Sequence, residues 1–207
     1  MLATRHSYLK QSLSASVGLI ALTGMTLNAQ AQCQLQKLLA ADGAAFDSFG
    51  NPVAISGDTA VIGAGQFSFF SPGSGVAYVF EKVGGVWTQT AKLTASDWAW
   101  GDEFGISVAV SGNTTVIGAR RHTCEGGIED CGAAYMFEKV AGVWTQTAKL
   151  TAADGAVAGF FGASVAISGL TAVIGASGHD ALGSFSGSAY VFEKVGGVWT
   201  QTAKLTA

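Results

Sequence analysis

The chain has 207 residues, 49% of them hydrophobic and only 12% charged, about half the charged share of an ordinary soluble domain. That composition excludes a disordered tail, and a net charge of −3 gives no electrostatic drive toward nucleic acid. Glycine at 29 positions, with two prolines and no Gly-X-Y period, points to many tight turns rather than to collagen.

At the N-terminus Arg5 and Lys10 precede an apolar stretch from Leu13 to Leu27, too short to span a bilayer. Ala29-Gln30-Ala31 then places small residues where a signal peptidase reads, so residues 1–31 are expected to be a signal peptide cleaved after Ala31. Gln32 and Gln30 stand where a lipoprotein signal before Cys33 needs a small and an apolar residue, which argues against a lipid anchor. The expected location is secreted, periplasmic or cell-surface, with no membrane span in the mature chain. Passage through an oxidising compartment would let Cys124 and Cys131 pair across a loop rich in glycine and acids, leaving Cys33 as the odd thiol.

Internal repetition dominates the remainder. Glu81 to Ala95 (EKVGGVWTQTAKLTA) recurs unchanged at Glu193 to Ala207, and with one alanine at Glu138 to Ala152. Trp87, Trp144 and Trp199 mark it at intervals of 57 and 55 residues. The pairs Phe49-Gly50, Phe104-Gly105 and Phe161-Gly162 keep a matching spacing, which signals stacked supersecondary units.

Each unit reads as β throughout. Val53-Ala54-Ile55 and Ala60-Val61-Ile62 flank Ser56-Gly57-Asp58-Thr59, with glycine at the first central position as a type II′ hairpin requires. Near-continuous apolar runs predict strands buried on both faces. A third strand, Val76 to Glu81, is followed by the turn at Gly84-Gly85. The fourth, Val86 to Thr94, is expected to alternate, with Trp87, Gln89, Ala91 and Leu93 on one face. Four strands in about 55 residues describe a β-propeller blade. The expectation is an all-β chain of three antiparallel blades near residues 44–98, 99–153 and 154–207. One extra outer strand at 34–39 points to part of a larger or assembled propeller, either as a truncated product or fragment or as an assembly between chains.

The recurring Phe-Gly, V-A-I-S-G-x-T-A-V-I-G-A and A-Y-x-F-E-K segments resemble the bacterial FG-GAP repeat, related to the repeats of the integrin α-subunit propeller. The resemblance covers essentially all of the mature chain and implies an extracellular adhesion or interaction module. Proline is absent from every GAP position, which read Gly63-Ala64-Gly65, Gly118-Ala119-Arg120 and Gly175-Ala176-Ser177. Integrin-type repeats often carry a D-x-D-x-D-G calcium loop in the first hairpin; here that hairpin is a tight turn, so calcium is not carried over from the resemblance.

No nucleophile-elbow, zinc-protease or phosphate-loop motif occurs, and near-identical units supply the same residues three times where an active site needs different ones. The expectation is a non-enzyme with no cofactor. Asp42, Asp47, Asp97, Asp102, Glu103 and Asp154 precede the Phe-Gly pairs, where they solvate and turn the loops; weak calcium binding by them is the lesser reading. The candidate ligand-contact residues are Trp98, Trp100, Arg120, Arg121, His122, His179 and Asp180 in loops that differ between units, the Trp pair reading as either a stacking surface or local packing. A zinc site from His122, His179, Cys124 and Cys131 is disfavoured against the disulfide. Two function classes remain: an extracellular module binding a protein or glycan through the variable segments Gln66–Ser74, Arg120–Cys131 and Ser177–Ser186, or a structural segment of a larger secreted protein or enzyme. The unpaired blade edges also predict self-association.

Overall fold

The computed structural model describes residues 36–65, 74–179, 183 and 186–206. The signal peptide, Cys33, Asp180 and most of the segments 66–74 and 177–186 that were expected to vary lie wholly or partly outside them.

Among the described residues, glycine and threonine at the turns cut the apolar runs into twelve strands. β1 (Val53–Ser56), β2 (Thr59–Ala64), β3 (Val76–Val83) and β4 (Val86–Leu93) form one antiparallel meander. The second sheet is β5 (Phe104–Ser111), β6 (Thr114–Ala119), β7 (Ala133–Val140) and β8 (Val143–Leu150), and the third is β9 (Phe161–Ser168), β10 (Thr171–Ala176), β11 (Ser188–Val195) and β12 (Val198–Thr206). The three sheets are propeller blades, and no helix occurs among the described residues. Gly57, Gly112 and Gly169 have φ of +57° in all three first hairpins while the next residue does not turn positive, as the sequence predicts for these loops. The β3–β4 turn takes positive φ at both central residues, Gly84-Gly85 in blade 1 but Ala141-Gly142 in blade 2.

One expectation changes in the outer strand. Val79 pairs with Ala91 and Phe80 with Gln89, so Thr90 is an inserted residue, and Thr147 and Thr202 repeat the bulge. The extra residue reverses the alternation within the strand. Trp87 therefore lies with the Tyr78 and Phe80 cluster, while Ala91 and Leu93 lie on the opposite face and pack toward blade 2. Residues 36–39, the described part of the expected spare strand, belong to no strand. They attach to blade 1 through Gln36, whose side-chain amide exchanges hydrogen bonds with the Trp87 backbone, and Leu38 packs on the Tyr78 and Phe80 cluster.

Blades stack face to face. Val61, Val79 and Leu93 of blade 1 meet Phe104, Tyr135 and Trp144 of blade 2, and Val116, Met136 and Leu150 of blade 2 meet Phe161, Tyr190 and Trp199 of blade 3. The Phe-Gly segment enters the preceding blade backbone first: Phe104 N–H donates to Ser74 O (2.7 Å) and Phe161 N–H to Cys131 O (2.9 Å). A Cβ on Gly105 would collide with the carbonyl of Val76, and one on Gly162 with that of Ala133. Glycine is thus needed there for close approach as well as for φ near +89°. At the outer end of each seam, Lys139 pairs with Glu81 (2.6 Å) and Lys194 with Glu138 (2.7 Å). Burial pushes Glu81 up, but Lys139 and Thr90 outweigh it and hold the carboxyl below its usual range; Glu138 is lowered chiefly by Lys194. Nε1 of Trp144 and of Trp199 is buried without a direct hydrogen bond, and each indole stands by one of these carboxylates and favours its charge.

Candidate functional site

A three-residue unit recurs where each Phe-Gly loop leaves the preceding outer strand. Tyr78 donates to Asp42 (2.9 Å), Tyr135 to Asp97 (2.9 Å) and Tyr190 to Asp154 (2.8 Å). On the other oxygen of each carboxylate sit Lys92, Lys149 and Lys204 at 2.5 to 2.6 Å. Lys92 and Tyr78 hold Asp42 below its usual range. For Asp97 and Asp154, burial pushes upward and the lysine and tyrosine outweigh it. Desolvation first, then the adjacent carboxylate, pushes all three tyrosines well above their usual value. The acids expected to solvate loops are therefore fastened pieces of the scaffold. The signal for this was the shared repeat spacing of Asp, Tyr and Lys.

Blade 2 builds further on that frame. Asp102 is buried and its Oδ2 accepts from the Ala99 N–H (2.8 Å), which closes the turn bearing Trp98 and Trp100. The same Oδ2 lies 3.0 Å from His122 Nδ1. Lys149, which only donates, lies 2.8 Å from His122 Nε2, so Nε2 accepts and Nδ1 carries the proton given to Asp102. Glu103, in the left-handed region at φ +57°, gathers Arg120 (2.6 Å) and Arg121 (3.1 Å) on its two buried oxygens. His179 is the blade 3 counterpart of His122, but Gly159 stands where Asp102 would be. His179 Nε2 lies instead 3.3 Å from the Asp154 carbonyl and 3.5 Å from its carboxylate.

Cys124 and Cys131 form a disulfide with Cα atoms 5.9 Å apart. The loop it closes folds back through Gly127 N–H to Cys124 O (3.1 Å), with Gly126 and Gly127 both at positive φ. Its end holds the next blade: Ala158, Phe160 and Phe161 donate to the carbonyls of Glu129, Asp130 and Cys131. The bridge therefore pins the seam between blades 2 and 3 as well as its own loop.

The structure thus brings together Arg120, Arg121, His122, Trp98 and Trp100 on one corner of blade 2 and places His179 in the next unit. Arg120, Arg121 and His122 are engaged by Glu103 and Asp102, whereas Trp98 and Trp100 are 54% and 68% exposed. Among the described residues no group of three His, Cys, Asp or Glu is arranged to hold a metal ion, and no helix is long and apolar enough to cross a membrane. A shallow groove of about 390 Å³ runs along the outer rim between blades 2 and 3, lined by Glu138, Lys149, Lys194 and Trp199.

Compared with known families, the chain matches the profile described as FG-GAP repeat three times in succession, over residues 33–80, 87–137 and 144–192. No curated protein matches it. The second and third matched segments begin on the outer strands β4 and β8, cross the Phe-Gly loop and end on the third strand of the following blade, so there the family's unit straddles a seam.

Proposed function

The chain belongs to the FG-GAP repeat family, and from that premise we propose that it is a non-catalytic, exported β-propeller module that binds an extracellular protein or glycan through the loop edge of its blades. The observation that carries this reading is the contrast in exposure at one corner. The aromatic and charged side chains that blade 2 shares with the other units, Phe104, Tyr135, Phe137, Trp144, Asp97 and Lys149, are taken up by seams and triads. Trp98 and Trp100, present in blade 2 alone, stand out on a turn closed by Asp102. Two exposed indoles on a fixed turn offer rigid stacking area at small entropic cost, which suits a sugar ring or a peptide side chain. Arg120 and Arg121 beside them add donors for hydroxyl or carboxylate groups.

The sequence of residues 1–31 supports export, and the disulfide accords with it. A catalytic role is disfavoured because, among the described residues, the polar cluster around His122 has its donors and acceptors mutually satisfied, Asp102 facing Nδ1 and Lys149 facing both Nε2 and Asp97. Indole fluorescence, titrated with soluble glycans and with extracellular matrix proteins, tests the reading. A saturable change is expected, absent from Trp98→Ala/Trp100→Ala at an unchanged unfolding midpoint. Binding that survives the double substitution, or no binding to either class, rejects the loop-edge reading. Edman sequencing of the exported protein should start at Gln32.

A further inference from the structure

The two filled seams define what each face of a blade accepts, and the two outermost faces are the halves of a third seam. Toward blade 2, blade 1 offers Val61 and Leu93, both buried; blade 3 presents the equivalent Val173 and Leu205 to solvent, 36% and 54% exposed. On the opposite side, Val108 of blade 2 is buried against blade 1, whereas Val53 and Ile55 of blade 1 are 64% and 67% exposed. The Phe-Gly slot repeats the pattern. A Cβ on Gly75 or Gly132 would strike the inserted Phe104 or Phe161 backbone, whereas among the described residues a Cβ on Gly187 would meet nothing closer than the Ser177 carbonyl at 3.8 Å, and one on Gly50 nothing within 4 Å.

The polar partners complete the match. Each seam pairs a glutamate of the earlier blade with a lysine of the later one, Glu81 with Lys139 and Glu138 with Lys194. Among the described residues this leaves Glu193 of blade 3 and Lys82 of blade 1 without ion partners, one of each sign on the right faces. Each seam also joins hairpin tips, Ser56 Oγ accepting from Gly112 N–H (3.0 Å) and Ser111 Oγ from Gly169 N–H (3.1 Å). Among the described residues Ser168 and Gly57 remain as the corresponding acceptor and donor, joined across no seam. Ser107 Oγ donates to Gly162 O across its seam (2.7 Å), and Ser164 is its counterpart on the open face.

We propose that blade 3 of one chain docks on blade 1 of a second copy, head to tail and twice over, closing a six-blade ring from two chains. Six blades fall within the four to eight that close a propeller, and a heterologous contact closes into a ring when its rotation allows. Charge complementarity selects the copy, since the seam needs Glu193 against Lys82 and a Phe-Gly segment for the Gly187 slot, and this chain carries all of them. Leu38 already rests on the blade 1 face as Leu93 and Leu150 rest on blades 2 and 3, so the arriving Leu205 takes its place and residues 36–39 give way.

The experiment uses two single variants of the exported chain, Val173→Asp and Ile55→Asp, each altering a side chain already exposed and leaving the other open face intact. Sedimentation at micromolar concentration should show two-chain particles for the unmodified protein and monomers for each variant alone. A 1:1 mixture of the variants should give a two-chain particle joined at one seam and nothing larger. The charge pair supplies a check that leaves the apolar faces untouched: Glu193→Lys should weaken association about tenfold or more, and adding Lys82→Glu to it should restore most of the loss. A monomeric unmodified chain leaves the faces to another occupant and overturns the proposal. Association that persists in either variant alone, a mixture that fails to pair, or unlimited growth of the unmodified chain overturns it equally.

Discussion

Blades 1 and 2 have nearly the same first hairpin and nearly the same third and outer strands, and differ in the loop between them, yet they are different physical objects. Blade 2 has a blade on both faces, whereas blade 1 has a blade on one face and only residues near Leu38, Ala40 and Phe49 on the other. Trp144 is buried beneath the edge of blade 1, and Trp87, its equivalent, is only half-buried because among the described residues no blade lies before it. Blade 2 also carries the disulfide and the Asp102–His122–Lys149 chain, where blade 1 has Asp47 closing the same turn by accepting from Ala44 N–H (2.6 Å). Repeated residues therefore set the scaffold, while position in the stack sets what each residue is worth.

The largest expected effect tests that statement directly. Trp144→Ala should cost roughly 3–5 kcal/mol in urea unfolding, as for other large aromatics removed from a core. Trp87→Ala should cost no more than about half as much, although the two residues have identical neighbours in sequence. Equal losses would mean that burial at the seam is not what distinguishes the blades.

The disulfide is next in size. Replacing Cys124 and Cys131 together by serine should lower stability by about 2.5 kcal/mol on the chain-entropy estimate for a loop of this length. The effect should concentrate at the blade 2–3 seam, because Glu129, Asp130 and Cys131 supply the carbonyls that hold Ala158, Phe160 and Phe161. Hydrogen exchange should accelerate at those three amides and leave the Phe104 amide, in the blade 1–2 seam, unchanged.

The pH dependence involves both blades. Asp42 and Asp97 have folded-state values below the usual 3.8, so the stability they contribute is complete above that pH and is lost as pH falls through the lowered values. Tyr78 and Tyr135 are raised above 10.0, so their contribution is complete below pH 10 and declines as pH climbs from there toward the folded values. Urea midpoints should form a plateau between about pH 5 and 9 with losses on both sides. Tyr135→Phe combined with Tyr78→Phe and Tyr190→Phe should flatten the alkaline limb; an alkaline limb that does not respond would show that the triads do not couple to folding.

The smallest effect lies in the β3–β4 turn. Ala141 adopts φ +50°, where a Cβ costs about 1–2 kcal/mol, whereas Gly84 holds the same place in blade 1 at +58° without that cost. Ala141→Gly should raise stability by about 0.5–1 kcal/mol once the greater freedom of unfolded glycine is subtracted, and Gly84→Ala should lower it by a similar amount.

The sequence made the blades legible because their signals are local: apolar runs of strand length, a Ser-Gly-x-Thr turn and a Gly-Gly turn recurring on one period. It misassigned the outer strand for an equally local reason. The bulge at Thr90 adds one residue and reverses the face, and a strict two-residue alternation contains no mark of it. The triads were hidden because Tyr78 and Asp42 are 36 residues apart, and Lys92 and Asp42 50 apart, so each looked like an ordinary loop or surface residue. The seam glycines looked like turn formers, and the backbone carbonyl that excludes a side chain at Gly105 belongs to another blade. Trp98 and Trp100 were legible as candidates, since they interrupt an otherwise faithful repeat; His122 was too, although its buried place between Asp102 and Lys149 makes it a supporting residue.

The central claim is that a Phe-Gly segment is fixed by entering the blade before it. Amide hydrogen exchange at Phe49, Phe104 and Phe161 measures this most directly, using the Val173→Asp chain so that the outer faces stay free. Phe104 and Phe161 donate across seams to Ser74 and Cys131, and no such acceptor exists for Phe49 among the described residues. The account predicts exchange at Phe104 and Phe161 slowed by orders of magnitude relative to Phe49. Three amides exchanging at one rate would contradict it.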